Sequence, residues 1–232
     1  MPRPEDVPAT RELIETLRSS QRALWCLEQH PGHPVVRWLL DPPTHAPGTV
    51  MPNLKLTEDQ ARDVAHSLAA VQKRAAEWGG DPSRVLLMGH SAGAHLAALV
   101  GASTSLWREA DALKPRGVVS LDSGALDVPD LLERPLIPPL YHRAFGSNAS
   151  DWIAASPHHQ LTRDAVPMLL VCSTRRPDAC LQGRAMVEKA RSLGVAMDVL
   201  PEDLSHVEVN RELGLPSTYT EAVDAFVRRQ LQ

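Results

Sequence analysis

The stretch Arg84-Val-Leu-Leu-Met-Gly-His-Ser-Ala-Gly-Ala-His-Leu-Ala-Ala-Leu-Val100 decides the fold. Val85 to Met88 is a short apolar run of the kind a buried parallel strand needs. Gly89-His90-Ser91-Ala92-Gly93 then reverses the chain, and Ala94 to Val100 is small, apolar and helix-forming. Strand, G-x-S-x-G and helix in this order predict a strained turn that holds the Ser91 hydroxyl clear of the sheet edge. Both glycines are expected where the turn is tightest, because a side chain at 89 or 93 would meet the neighbouring strand or helix. A helix starting at Ser91 points its free amides and positive dipole end at any oxyanion formed there, with the Ala92 amide as the expected donor. The bland alternative is a Gly-rich turn with an inert serine. The flanking strand and helix favour the nucleophile.

Composition narrows the classes. A chain of 232 residues suits one domain, or one with a small appendage, and 43% hydrophobic residues are enough for a core. A net charge of −4 without a long basic run argues against nucleic acid as a partner. Cys26, Cys172 and Cys180 are widely spaced, which fits a reduced compartment and no disulfide framework. Cys172, in an apolar run, is expected as a small packed residue. No CxxC or His–Cys cluster suggests a metal, and no cofactor is expected. The charged N-terminus leads into no uninterrupted apolar run, so neither a signal peptide nor a membrane span is predicted, and a cytoplasmic location is the expectation. The chain has twenty prolines, and they concentrate in residues 1–52 and 129–139, where irregular structure is expected.

Outward from the central stretch, helices and strands alternate. Residues 9–29 read as a helix capped by Thr10, Val35 to Leu40 as a strand, and Val50-Met51 as the tail of another. Thr57-Glu-Asp-Gln60 fits a capping box. Ala61, Val64, Leu68, Val71, Ala75 and Trp78 then recur at three- and four-residue steps, the face of a helix that Gly79-Gly-Asp-Pro82 stops. Strands are expected at Gly117–Leu121, Val166–Cys172 and Val195–Leu200, and helices at Leu181–Leu193 and Glu221–Leu231. The last helix should turn Ala222, Val223, Phe226 and Val227 inward. This alternation predicts an α/β fold, an open and mostly parallel sheet flanked by helices, with ligands at the carboxyl ends of its strands.

A serine hydroxyl needs a base, and the base needs an acid to hold its tautomer. On this kind of sheet the chain order is serine, acid, histidine, each after a strand. That order excludes His30, His33, His45, His66 and His90 as the base. His95, four residues past Ser91 on the elbow helix, is expected to pack or hydrogen-bond beneath the site. His158 and His159 precede a strand and read as surface or pocket-wall residues. His206, in Glu202-Asp-Leu-Ser-His206, follows the strand at 195–200 and is the expected base. In Ser173-Thr-Arg-Arg-Pro-Asp-Ala-Cys180 the only carboxylate is Asp178, the expected acid; its alternative role is a helix cap. Asp122, ending the preceding strand, stands in reserve, and Asp203 is too near His206 in sequence. A second oxyanion amide commonly comes from a His-Gly-Gly loop. The chain has none, and Pro31-Gly-His-Pro34 is a superficial echo. Losing one such donor costs ~3 kcal/mol in the transition state.

From about Lys55 onward the chain resembles the esterase/lipase branch of the α/β-hydrolases, nearest to bacterial carboxylesterases and kynurenine-formamidase-like enzymes. Gly79-Gly-Asp-Pro82, Gly89-His-Ser-Ala-Gly-Ala-His95, Ser120 to Ala125, Ser156-Pro157, Asp178 and Leu204-Ser-His206 carry the resemblance. It implies cofactor-free cleavage of short acyl esters or aryl formamides. Residues 1–50 depart from the family, whose opening strands are expected there, which raises the alternative of a sheet without its first strands. The expected organisation is an atypical segment at 1–54 and a hydrolase core at 55–232, with a Pro-rich pocket or cap excursion at about 126–146.

The resulting expectation is a serine esterase acting on small-molecule esters through Ser91, His206 and Asp178. Its pocket would be walled by His90 and by the segment holding Leu136 and Tyr141. An arylformamidase and a catalytically silent scaffold, for which the missing His-Gly-Gly loop speaks, are the alternatives.

Overall fold

Four parallel strands form the sheet in the computed structural model, which describes residues 58–232. The expected helix at 9–29, strand at 35–40, strand tail at Val50-Met51 and capping residue Thr57 lie outside the described residues. The strands are β1 (Leu87–His90), β2 (Val118–Leu121), β3 (Met168–Ser173) and β4 (Met197–Glu202), and they lie in the order β1-β2-β3-β4. Registers Leu87↔Val118, Val118↔Met168 and Met168↔Met197 align their carboxyl ends along one edge. β1 begins two residues later than its apolar run suggests. Its ladder continues through Gly89 and His90, which pair with Ser120 and Leu121.

Neighbouring residues of β2 and β3 enter opposite apolar layers. Val118, Met168 and Leu170 pack with Ala97, Ala98 and Ala102 of α2 (Ala92–Ala102) and with Met186 and Ala190 of α8 (Pro177–Leu193). Val119, Leu121, Leu169 and Val171 pack with Val209 of α9 (His206–Arg211) and with Tyr219, Val223 and Phe226 of α10 (Thr218–Leu231). Burial on both faces explains why these strands carry apolar residues at successive positions rather than in alternation, with Ser120 of β2 a polar exception. Gly101 is fixed by this packing, since a Cβ there would lie 2.6 Å from a Val118 methyl.

α1 (Glu58–Arg74) buries Ala61, Ala65, Leu68, Ala69 and Gln72. The buried face is rotated from the expected stripe toward the alanines, which allow close approach to Leu99 and Val100 of α2 and to Leu106 of α3 (Thr104–Glu109). Gln72 is buried at no polar cost because its amide exchanges bonds of 3.0 and 2.9 Å with the Leu113 backbone. Gly79, at φ 74°, closes the 3-10 turn Ala75–Trp78 that follows α1.

Between β2 and β3 the chain leaves the sheet as four short helices: α4 (Val128–Leu132), α5 (Pro139–Phe145), α6 (Ala149–Ala154) and α7 (Pro157–Gln160). Val128, Leu131, Leu132, Ala144, Phe145 and Ala155 give this excursion a small core of its own. No helix among the described residues is long and apolar enough to cross a membrane.

Candidate functional site

The turn after β1 is set by backbone sterics. A Cβ on Gly89 would stand 2.2 Å from the Gly93 carbonyl oxygen, so only glycine fits at 89. Gly93 is different: a Cβ there would meet nothing within 4 Å, and the expectation that both glycines are sterically required is corrected. Ser91 sits at φ 58°, ψ −117°, a conformation that non-glycine residues rarely adopt. Its amide donates to the Leu121 carbonyl at 3.0 Å, which ties the turn to β2. Ala92 is the first residue of α2, where an amide has no acceptor within the helix.

His206 arrives at the same edge as the first residue of α9. Ser205 caps that helix, and Glu208 returns a bond to the Ser205 amide at 2.7 Å, completing a capping box. Arg175 braces the loop before it, donating to the Asp203 carboxylate at 2.9 Å and to the Asp203 carbonyl at 2.8 Å. His206 Nε2 lies 3.0 Å from Ser91 Oγ. His206 Nδ1 lies 2.6 Å from Asp122 Oδ2.

Asp122, the first residue past β2, is fully buried and has a positive φ of 56°. The Ser173 amide donates to its Oδ1 at 2.9 Å. Burial pushes this carboxyl up, but the hydrogen bonds from His206 and Ser173 and the charge of Arg176 outweigh it and hold it below its ordinary value. Arg176 Nη1 donates to Asp122 Oδ2 at 2.5 Å and stands 2.7 Å from His206 Nδ1.

The expected acid is corrected. Asp178 lies in the first turn of α8, and its exposed carboxylate pairs with Arg134 at 3.0 Å. The loop after β3 presents Arg176 where a carboxylate was anticipated, and Asp122 supplies the carboxylate from the adjacent strand end. Arg176 was missed altogether. Its signal was the Arg175-Arg176 pair in a loop expected to hold an acid.

The other expected contacts are also placed. His90 Nε2 donates to the His206 carbonyl at 2.8 Å, and the two rings lie 4.4 Å apart, so His90 props His206. Burial lowers the proton affinity of His90 more than that bond raises it. Leu136 is 94% exposed and does not wall a pocket. Tyr141 packs against the core of the excursion, and a Cβ on Gly124 would lie 2.8 Å from its hydroxyl and 2.9 Å from Arg176 Nη2. His95 is buried beneath the elbow, where its Nδ1 donates to the Ala125 carbonyl at 2.7 Å. Burial pushes its pKa down to about 4, so this ring is neutral. The cysteine reading is corrected as well: Cys172 and Cys180 form a disulfide linking the end of β3 to the first turn of α8. The cysteine argument for a reducing cytoplasm therefore no longer holds.

An open parallel sheet with a strained serine elbow at its carboxyl edge defines an α/β-hydrolase. Residues 54–185 match the BD-FAE family, more than half of the chain, and the protein belongs to that family. Similar solved structures include a truncated form of a carbohydrate esterase from gut microbiota, at 17% identity. That match covers 74% of this chain and 68% of the other, with a TM-score of 0.62. Another is the apo form of Thermogutta terrifontis esterase 2, at 22% identity, 76% and 66% coverage and a TM-score of 0.60. A curated Arabidopsis thaliana protein, "Probable isoprenylcysteine alpha-carbonyl methylesterase ICMEL1", is 50% identical over 40 residues, which span 17% of this chain and 8% of the relative.

Proposed function

We propose that the protein hydrolyses short-chain carboxylic esters through an acyl-enzyme on Ser91, with His206 as base and Asp122 as its carboxylate partner. The observation that carries this reading is the continuous relay Ser91 Oγ–His206 Nε2–Asp122, with contacts of 3.0 and 2.6 Å. With the proton on Nδ1 and donated to Asp122, Nε2 offers a lone pair to the serine hydroxyl. Ser91 Oγ attacks the acyl carbon while its proton passes to Nε2, and the carbonyl oxygen gains its charge facing the Ala92 amide. Collapse breaks the ester C–O bond, and the leaving alcohol takes the proton from Nε2. Water then repeats the sequence on the acyl-enzyme and frees Ser91. Membership of the BD-FAE family and similarity to a carbohydrate esterase and to esterase 2 support the choice of esters.

The test is covalent labelling with a fluorophosphonate, read by intact mass beside Ser91→Ala and followed by a panel of p-nitrophenyl esters and an N-formyl aryl amide. One adduct on the wild type, absent from the variant, with ester turnover above formamide turnover is the expected result. No adduct on well-folded wild type would sink the enzyme reading and leave a silent scaffold.

A further inference from the structure

Asp127, His158 and His159 bring three metal-ligating atoms together outside the Ser91 site. Asp127 caps α4, its Oδ1 accepting from the Asp130 amide at 3.2 Å, while the two histidines come from α7, at the far end of the excursion. The backbone holds the two segments against each other. The His158 amide donates to the Leu126 carbonyl at 2.8 Å, and the Ser156 hydroxyl donates to the same carbonyl at 3.1 Å. The carboxylate thus meets two imidazoles without being carried there by its own charge.

His158 Nδ1 lies 3.0 Å from Asp127 Oδ2, and His159 Nε2 lies 3.2 Å from Asp127 Oδ1. All three ligand atoms fall within 4.8 Å of one another. His158 Nδ1 is buried, yet it has no hydrogen-bond partner among the described residues despite that short approach. A nitrogen lone pair and a carboxylate oxygen this close repel unless a positive centre lies between them. Two imidazole nitrogens and one carboxylate oxygen are a donor set suited to zinc and its neighbours, at about 2.0–2.2 Å from the ion. Those bonds put tetrahedral ligands roughly 3.4 Å apart, close to the two approaches observed. Three protein ligands leave a fourth position for water. Asp130 adds negative charge nearby, and Arg134 engages it at 2.5 Å, while Lys189 donates to the His158 carbonyl at 2.6 Å.

We propose that Asp127, His158 and His159 hold one divalent transition-metal ion of the zinc class, which fastens the two ends of the excursion between β2 and β3. The role is structural: the ion joins the segments that enclose α4 to α6, and it shares no residue with the Ser91 relay.

The test uses the full chain without a polyhistidine tag, stripped by chelator and dialysed against zinc sulfate, with metal per chain read by mass spectrometry and melting temperature read in parallel. One zinc per chain is expected on the wild type and on His206→Ala, with a raised melting temperature in both. His158→Ala combined with His159→Ala should bind none. Asp127→Asn keeps the helix-capping oxygen and should bind at least about tenfold more weakly. If the double variant does not fold, His159→Ala alone serves, with a cobalt(II) absorption band as readout that should be lost. No zinc on folded wild type overturns the proposal, and so does one zinc per chain on the double variant. Zinc lost only in His206→Ala would place the ion at the catalytic edge and overturn it equally.

Discussion

Two of the strand-to-helix junctions that meet at the site are specified differently. After β1, the turn is dictated by sterics at Gly89, and local sequence is sufficient to place Ser91. After β3, the loop Ser173–Arg176 is specified by charge: it offers an amide and a guanidinium to a carboxylate that belongs to a neighbouring strand. A junction defined by its own backbone is readable from a short motif. A junction completed by another strand is readable only once the strands are placed side by side.

The largest effect that tests this contrast comes from the two aspartates. Asp122→Asn should lower kcat by about 10⁴, as expected when the imidazole loses the partner that fixes its tautomer. Asp178→Asn should change kcat less than about twofold, because it removes only an exposed pair with Arg134. Kinetics on a neutral p-nitrophenyl ester would decide, and the reverse ranking would return the acid to the loop after β3.

The elbow makes the next prediction. Gly89→Ala forces a methyl against the Gly93 carbonyl and should cost about 4 kcal/mol or more, or prevent folding. Gly93→Ala, in open space on a helix, should stabilise by up to about 1 kcal/mol. Denaturant unfolding of both variants checks this. Equal losses would mean that the motif is fixed by something other than close packing at 89.

These results would also mark what the sequence could say. The parallel sheet, the elbow and the place of His206 beside Ser91 were legible because apolar runs, one glycine-bounded turn and the loop after the last strand each carry a local signature. Asp122 was visible only as the reserve acid, since its claim depends on β2 lying beside β1 and β3. Arg176 and the Cys172–Cys180 bond were not legible. Both depend on how the loop after β3 folds back, and spacing alone does not report that. The grouping of Asp127 with His158 and His159 is likewise a product of the excursion's closure. Leu136 was misjudged because composition gives a segment's polarity and not its facing.

Acidification should separate the two junctions further. The His95 pKa is held down to about 4 by burial, whereas in the unfolded chain it returns to the ordinary imidazole value of 6.5. Between those values the unfolded chain binds a proton that the folded chain refuses, so stability falls as the pH falls, by about 3 kcal/mol in all. Asp122 acts in the same sense, in a lower pH window. Its folded value is depressed, so its contribution is present above the ordinary carboxylate range and is lost only as the pH falls through that lower value. Urea midpoints from pH 7 to 4 should therefore show a loss that His95→Asn flattens. A slope unchanged in that variant would remove His95 as its source.

The smallest effect concerns Arg176, which reaches both partners of the relay. Nδ1 of His206 can donate to Asp122 or accept from the Arg176 guanidinium, but not both. Only the first arrangement leaves Nε2 free to take the Ser91 proton. Asp122 retains the Ser173 amide and His206 when Arg176 is removed, so its placement does not rest on the guanidinium alone. Arg176→Ala should therefore alter kcat on a neutral ester by less than about tenfold, roughly a thousandfold less than Asp122→Asn. A loss as large as that of Asp122 would make the guanidinium indispensable to the relay. In that case the two junctions would be equal partners in holding His206, and the contrast between them would fail.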